Sequence, residues 1–414
     1  MSRAGTVLQV LLKETVVGYL TRYPDNRHLF VFDEEYRRSS PERPVLSLSF
    51  IEPWDEAATE HKLARTFSSA IRIPEFFSNL LPEGTLREYL AKRLKTHTSD
   101  EFALIAALGE NLPGAVRVIP STQVPDAIRS HPLSMVGQRG HAEPTLFSLG
   151  GAQMKFSMVD HGGRFTLSND GVEWIVKPPH PLHPNVPENE YSMMKLAGAA
   201  GVEIPDVQLI PMERVDLADL PVLAFPADAT GYAIRRYDRG AEGRVHAEDF
   251  AQVFGVYPER EYDATNYDTI GRVLFSVFPR RHEALEEFIR RLVVHILIGN
   301  SDAHLKNWSI IYPDGYTPRL SPAYDLVSTI HYTPDTRLAL NLAGEKEFGA
   351  IGAGHFRKLA ERIGAEEAFV LDVATSTARR ARTTWPDLLQ ELPLPETMKG
   401  KLTQHWKNSP SFHF

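Results

Sequence analysis

Near residue 246 the chain changes character, from short β-rich runs broken by turn residues to long segments of helical periodicity. That segregation limits the fold more than any other feature, because strands followed by helices, rather than alternating with them, give an α+β architecture. Gln153–Val159, Arg164–Ser168 and Glu173–Lys177 read as three short strands, joined by His161-Gly162-Gly163 and by the hairpin signal Asn169-Asp170-Gly171. A helix is expected over Asn189–Ala200, with Met193, Met194, Leu196 and Ala197 on one face and Gly201 at its stop. Val207–Ile210 and Tyr232–Tyr237 resume β character, and from His246 onward the chain reads as mostly helical. Glu286–Ile298 carries Phe288, Ile289, Leu292, Val293 and Ile296, the stripe of a buried helix that ends at Gly299.

A chain of 414 residues exceeds what one core supports, so further units are expected. At the N-terminus, Thr6–Leu12, Val16–Thr21, Leu29–Phe32 and Val45–Phe50 suggest a small antiparallel sheet, followed by helical periodicity over Glu56–Leu108. The expected division is an α+β module over 1–120, a connecting segment over 121–145 rich in Pro and Gly, a sheet lobe over 146–239 and a helical lobe over 240–414.

Composition excludes several chemistries. There is no cysteine, so disulfides, thiolate metal sites and cysteine nucleophiles are out. The net charge of -8 leaves no global basic field for nucleic acid, so DNA contact is local or supplied by a partner. The pairs Arg280-Arg281 and Arg290-Arg291, and Arg379-Arg380 with Arg382, read as solvated helix faces. Val7–Leu12 is too short for a signal-peptide core, and no apolar run approaches the ~20 residues of a membrane span, so a cytoplasmic protein is expected.

After Gly299 comes a loop that core formation does not require: Asn300-Ser301-Asp302-Ala303-His304-Leu305-Lys306-Asn307. Trp308–Tyr312 and Tyr316–Leu320 then read as a hairpin across Pro313-Asp314-Gly315, and Asp325 adds a carboxylate at the end of a strand. Asp302 and Asn307 have the Asp-x-x-x-x-Asn spacing of phosphoryl transfer, where the carboxylate receives the substrate hydroxyl proton and the amide oxygen holds Mg²⁺. Asp325 is the candidate second metal ligand, and His304 and Lys306 are candidates to neutralise phosphate charge. Two alternatives stand beside this. Asn300 or Asp302 caps a turn, or Asp302 and His304 begin a metal site, although no second His or carboxylate stands at ligand spacing nearby.

The same chemistry calls for an upstream lysine at a strand end, steadied by a helix glutamate. Lys177 and Glu190 fit; the alternative is a solvated strand end and a glutamate favouring its own helix N-terminus. Gly150-Gly151-Ala152-Gln153, ahead of the first strand of this lobe, would let backbone N–H groups approach phosphate, or simply make a turn.

Taken together these residues resemble the HipA family, the serine/threonine kinase toxins of bacterial toxin–antitoxin modules. The resemblance runs in order through Phe76-Phe77-Ser78-Asn79-Leu80-Leu81-Pro82, Ser148 to Lys155, Pro187-Glu188-Asn189-Glu190-Tyr191, Arg236-Tyr237-Asp238-Arg239, Asp302 to Ser309 and Pro322 to Ser328, nearly the whole chain. It implies a protein-kinase-like bilobal α+β fold, with a small β-rich nucleotide lobe, a larger helical lobe and an additional N-terminal α+β module. It implies ATP and Mg²⁺ as cofactors, Asp302 as catalytic base, Asn307 and Asp325 as metal ligands, and Lys177 on phosphate with Glu190 as its partner. Gly150, Gly151, Ala152, Gln153, Lys155, Arg235, Tyr237, His304, Lys306 and Tyr324 would line the nucleotide site. Ser148 would be autophosphorylated, expelling the Gly150–Lys155 loop. Arg235 stands where the family commonly has an acidic residue. The implied partners are a small helix-turn-helix antitoxin, which supplies most contact with operator DNA, and a protein substrate of the aminoacyl-tRNA synthetase class, with no membrane involved. A small-molecule kinase of aminoglycoside or choline type and a catalytically idle corepressor scaffold are the alternatives.

Overall fold

A computed structural model of the chain describes residues 6–123, 128, 154–167, 173–216, 225–226 and 228–414. Side chains alternating across the pleat build the first sheet. β1 (Thr6–Leu12), β2 (Thr15–Arg22) and β3 (His28–Phe32) form an antiparallel meander, and β4 (Phe67–Ser69) and β5 (Val116–Pro120) complete the order β4-β3-β2-β1-β5. The expected strand Val45–Phe50 does not form. Ser47 caps a 3-10 turn over Leu48–Phe50, and the Ser47 hydroxyl and Leu48 N–H are both taken by Glu248. The sheet instead recruits β4 from within the stretch of helical periodicity and β5 from just beyond it. Five helices complete this part: α1 (Glu34–Arg38), α2 (Glu56–Leu63), α3 (Glu75–Ser78), α4 (Gly84–Arg93) and α5 (Glu101–Leu108).

The second sheet holds β6 (Phe156–Asp160), β7 (Phe165–Leu167), β8 (Trp174–Lys177), β9 (Val207–Pro211), β10 (Val215–Asp216) and β11 (Thr230–Arg235), in the order β10-β7-β6-β8-β11-β9. His161-Gly162-Gly163 makes the expected β6–β7 turn, the His161 N–H donating to Arg164 O at 2.9 Å. β7 and β8, expected as a hairpin, do not pair with each other. Both pair with β6, one on each edge, and Asn169-Asp170-Gly171 lies outside the described residues. α6 (Val186–Ala199) begins three residues before the expected Asn189, because Pro187 fits a first helical turn, where no N–H partner is needed.

Period-two alternation along β11 places this sheet between two apolar clusters. Tyr232 and Ile234 pack with the C-terminal helices, while Ala233 between them joins the cluster containing Phe76, Phe77, Phe156 and Met158. The core of the first sheet is therefore continuous with one face of the second.

The C-terminal lobe opens with the ribbon β12 (Arg239–Gly240) and β13 (Gly243–Arg244). β14 (His246–Asp249), α7 (Phe250–Val253), α8 (Tyr267–Val277) and α9 (Arg281–Ile298) follow. β15 (Ser309–Tyr312), β16 (Arg319–Leu320), β17 (Arg337–Leu342) and β18 (Glu345–Glu347) precede α10 (Ala353–Ile363), α11 (Glu367–Glu391) and α12 (Glu396–Asn408). α9 stops at Gly299, where φ is 65° and an added Cβ would stand 2.6 Å from Ile330 Cγ2, so glycine is required both by conformation and by space. The expected hairpin forms with a shorter second strand, β16, and pairs on its other side with β14. Asp325 does not end a strand; it follows β16 in irregular backbone with φ 53°. Among the described residues no helix is long and apolar enough to cross a membrane.

Glu248 on β14 ties the N-terminal segment to this lobe. Its buried carboxylate accepts from the Ser47 hydroxyl (2.5 Å), the Leu48 N–H (3.0 Å) and the Tyr312 hydroxyl (2.6 Å). Burial nevertheless pushes it up to about 7. A folded-state carboxyl raised above its unfolded value contributes stability that is present below about pH 4.5 and lost as pH rises through about 7. Glu248→Gln therefore gains stability relative to the natural chain, by about 3 kcal/mol at most, between pH 5 and pH 8 in urea unfolding. Taking that difference cancels His246 and His295, whose imidazoles burial lowers to about 4 and about 3 and which act in the opposite sense. A difference independent of pH would show that Glu248 is ionised at no cost.

Candidate active site

The second sheet, the C-terminal lobe and Asn79, Leu80, Glu83 and Pro113 of the N-terminal part enclose a cleft of about 430 Å³. β8 ends in Lys177, whose ammonium donates to Glu190 Oε1 on α6 at 2.7 Å and makes an ion pair with Asp325. Burial would lower the Lys177 amine, but the Asp325 and Glu190 charges outweigh it and raise it. Burial would likewise raise Asp325, but Lys177 and Lys155 hold its carboxyl well below the usual range. One ammonium thus serves two carboxylates. Glu190, whose Oε2 has no hydrogen-bond partner among the described residues, is the one burial drives up to about 7.

The loop after α9 is folded on itself. Asp302 O accepts from the His304 N–H (2.8 Å) and from Asn307 Nδ2 (2.6 Å), which commits the Asn307 nitrogen to the loop and leaves its amide oxygen as the atom able to accept a hydrogen bond or ligate a cation. Asn300 caps the turn, its Oδ1 accepting from the Asp302 N–H at 2.9 Å, and its Nδ2 also donates to Asp325 O at 3.4 Å. Capping and site-building are here one job. The Asp302 carboxylate is more than half exposed and accepts from the Tyr262 hydroxyl.

His304 and Lys306 are not free cations. Burial keeps the His304 imidazole below its ordinary value and hence neutral, against the pull of Asp302. Lys306 pairs with Glu83 of the N-terminal part; burial would lower its amine, but Glu83 and Asp249 outweigh it. Tyr324 donates to Lys306 O (2.7 Å) and stacks on Tyr237, with ring centroids 5.4 Å apart. Beside Tyr237, the buried Asp238 accepts from Arg236 Nε (2.8 Å) and Nη2 (2.7 Å), from Arg239 Nη1 (2.9 Å) and from the Gly114 N–H (2.8 Å). Arg235 lines the rim with its guanidinium on Glu173 (3.3 Å) and Asp206 (3.6 Å).

Lys155, Lys177, Arg235, Tyr237, Asp302, His304, Lys306, Asn307, Tyr324 and Asp325 all line this one cleft, and Glu190 touches it through Lys177. Burial lowers the Lys155 amine. Ser148, Gly150, Gly151, Ala152 and Gln153 lie outside the described residues. Of the arginine pairs, Arg291 is not on a solvated face: it is 2% exposed and donates to Glu287 Oε1 at 2.8 Å.

Sequence reasoning misses Glu83, Glu261 and Tyr262. Glu83 stands at the N-cap of α4, where an acidic residue reads as a capping group; its side chain makes no cap bond and crosses to Lys306 instead. Its one signal is that it directly follows the Phe76–Pro82 segment. Tyr262 sits in an ordinary polar stretch and carries no signal.

Residues 147–385 match the family described as HipA-like C-terminal domain, and residues 8–119 match HipA N-terminal domain. The chain is 42% identical over 406 residues to the Sinorhizobium fredii protein Y4dM, covering 97% of this chain and 96% of the relative. It is 25% identical over 376 residues to the serine/threonine-protein kinase toxin HipA of Shewanella oneidensis, covering 81% and 82%. Among solved structures it resembles, with a TM-score of 0.71 at 20% identity over 98% of this chain and 96% of the other, that of the Shewanella oneidensis MR-1 toxin–antitoxin system HipA, HipB and its operator DNA complex. The likeness shows a kinase-like bilobal fold with an additional N-terminal part.

Proposed function

Because this chain belongs to the HipA family, we propose that it is an ATP- and Mg²⁺-dependent serine/threonine protein kinase acting as the toxin of a toxin–antitoxin module. The carrying observation is the convergence of Lys177, Asp302, Asn307 and Asp325 on one cleft. In this reading Asp302 takes the proton of the substrate hydroxyl. Its Oδ1 is oriented by the Tyr262 hydroxyl, leaving Oδ2 for the acceptor. Asn307 and Asp325 offer hard oxygen donors, and Asp325 is held ionised, which suits Mg²⁺. A magnesium ion held by these two oxygens would supply neutralisation of phosphate charge. Lys177 binds phosphate and Glu190 sets its direction. The stacked Tyr237 and Tyr324, with the backbone beside Arg235, form the adenine side.

Ser148 is the proposed autophosphorylation site; a phosphate adds close to two negative charges beside a loop that must face ATP, which would expel it. Gly150, Gly151, Ala152 and Gln153, with Lys155, are the proposed phosphate-binding segment, a role for which small residues and backbone N–H groups are suited. The proposed partners are a small helix-turn-helix antitoxin, operator DNA mainly through it, and an aminoacyl-tRNA synthetase as substrate, all in the cytoplasm. The structural relative's assembly with HipB and operator DNA supports the first two, and a charge of -8 supports a borrowed DNA contact. Purified chain with γ-labelled ATP and Mg²⁺ should label Ser148, and Asp302→Asn should abolish the label; unchanged labelling in that variant overturns the reading.

A further inference from the structure

The cleft is electrically lopsided. At one end Lys155 and Lys177 stand against Glu190 and Asp325, two ammonium groups facing two carboxylates. At the other end Glu83, Asp249, Glu261 and Asp302 line the wall, and the cation among them is Lys306, already paired with Glu83. His304 does not compensate, because burial keeps it neutral.

Glu261 shows the imbalance most clearly. It is 7% exposed, yet its Oε2 has no hydrogen-bond partner among the described residues. Its Oε1 lies 3.5 Å from His304 Nε2, which in turn lies 4.0 Å from Asp302 Oδ1, so Glu261 and Asp302 flank one imidazole. Burial, Glu83, Asp249 and Asp302 push its carboxyl up to about 8 in spite of Lys306. A buried carboxylate crowded by others lacks a counter-charge, and a cation placed beside it recovers both the desolvation cost and the repulsion. The nucleotide's own phosphates belong beside Lys155 and Lys177, where the carboxylates already have counter-charges. What reaches the Asp302 end is the substrate that brings the hydroxyl.

We propose that the wall formed by Glu83, Glu261 and Asp302 receives a lysine or arginine side chain of the protein substrate, close in sequence to the serine or threonine that is phosphorylated. This rests on the kinase reading above and gives its substrate a chemistry. Glu83 comes from the N-terminal part of the chain, so that part supplies one wall of the acceptor subsite. Its side chain is 22% exposed and that of Asp302 57%, which leaves the pair open to an incoming cation while Glu261 lies deeper.

The test is phosphate transfer by the full chain to serine and threonine peptides carrying Lys or Arg, Ala, or Glu at each position within four residues of the acceptor. One basic position should raise kcat/KM about tenfold over alanine, the scale of one hydrogen-bonded charge contact. Glu261→Gln and Glu83→Gln should each collapse that preference, and Glu83→Lys should turn it toward Glu, a gain that loss of structure does not produce. Where Glu261→Gln melts below the assay temperature, the two Glu83 variants carry the comparison. Equal use of basic and neutral peptides, a preference unchanged in the variants, or transfer to choline or an aminoglycoside in place of peptides overturns the inference. So does ATP turnover with no peptide labelled. A natural chain that transfers phosphate to nothing, itself included, overturns the kinase reading instead.

Discussion

Lys177→Met will cost the fold about 3–5 kcal/mol and remove phosphate transfer together, because one buried ammonium serves both Glu190 and Asp325. Methionine keeps most of the length of the side chain, so the loss reports chiefly charge rather than volume. Both carboxylates are then left in the protein without their counter-ion and both rise. The pH signature follows from the signs. In the natural chain the depressed Asp325 contributes stability that is present above about pH 4 and lost in acid. In the variant the raised carboxyls are protonated at low pH and costly once ionised, so the stability gap to the natural chain widens from pH 5 to pH 8. Urea unfolding at those two values measures it. A loss below about 1 kcal/mol with no change between them would mean that the three groups do not share one buried charge balance.

Asp238→Asn, also in the cleft lining, will have an effect of similar size. Burial would raise this carboxyl, but Arg236 and Arg239 outweigh it and hold it well below the usual range. Asparagine offers one oxygen where two guanidinium groups and the Gly114 N–H now converge, and it leaves buried positive charge uncompensated. The expected loss is about 3–5 kcal/mol near neutral pH, vanishing in strong acid, since a depressed carboxyl contributes nothing once it is protonated in both states. Tyr237 sits between Arg236 and Asp238, so the variant should also weaken nucleotide affinity by about tenfold, read by calorimetry. Natural stability with natural affinity would sink the view that this cluster holds Tyr237 in place.

How much of this was legible in one dimension depends on how far apart the partners lie. The Asp302–Asn307 loop is contiguous and bounded by a helix that must stop at Gly299, so its chemistry and its start are both written locally. Lys177 at the end of β8 is legible for the same reason. Val45–Phe50 has the composition of a strand, but Glu248 takes its N–H and hydroxyl from two hundred residues away, and no local pattern announces that. β4 and β5 are short strands recruited to edges by non-local pairing. β7 and β8 look like neighbours in a hairpin until β6 takes an edge from each. Arg291 reads as a solvated cation because its burial and its bond to Ser321 O, thirty residues away, are decided by packing outside the helix.

Local chemistry therefore names the reactive loop, the strand-end lysine, the helix stops and the segregation of strands from helices, since each depends on neighbours a few residues away. Assembly decides the rest. It brings Glu83 across to Lys306, sets Tyr262 on Asp302, leaves Glu261 without a counter-charge and makes one ammonium answer for two carboxylates. The reason is physical: the cost of burying a charge, and therefore its protonation and partner, depends on everything packed around it, and that surrounding is drawn from distant parts of the chain.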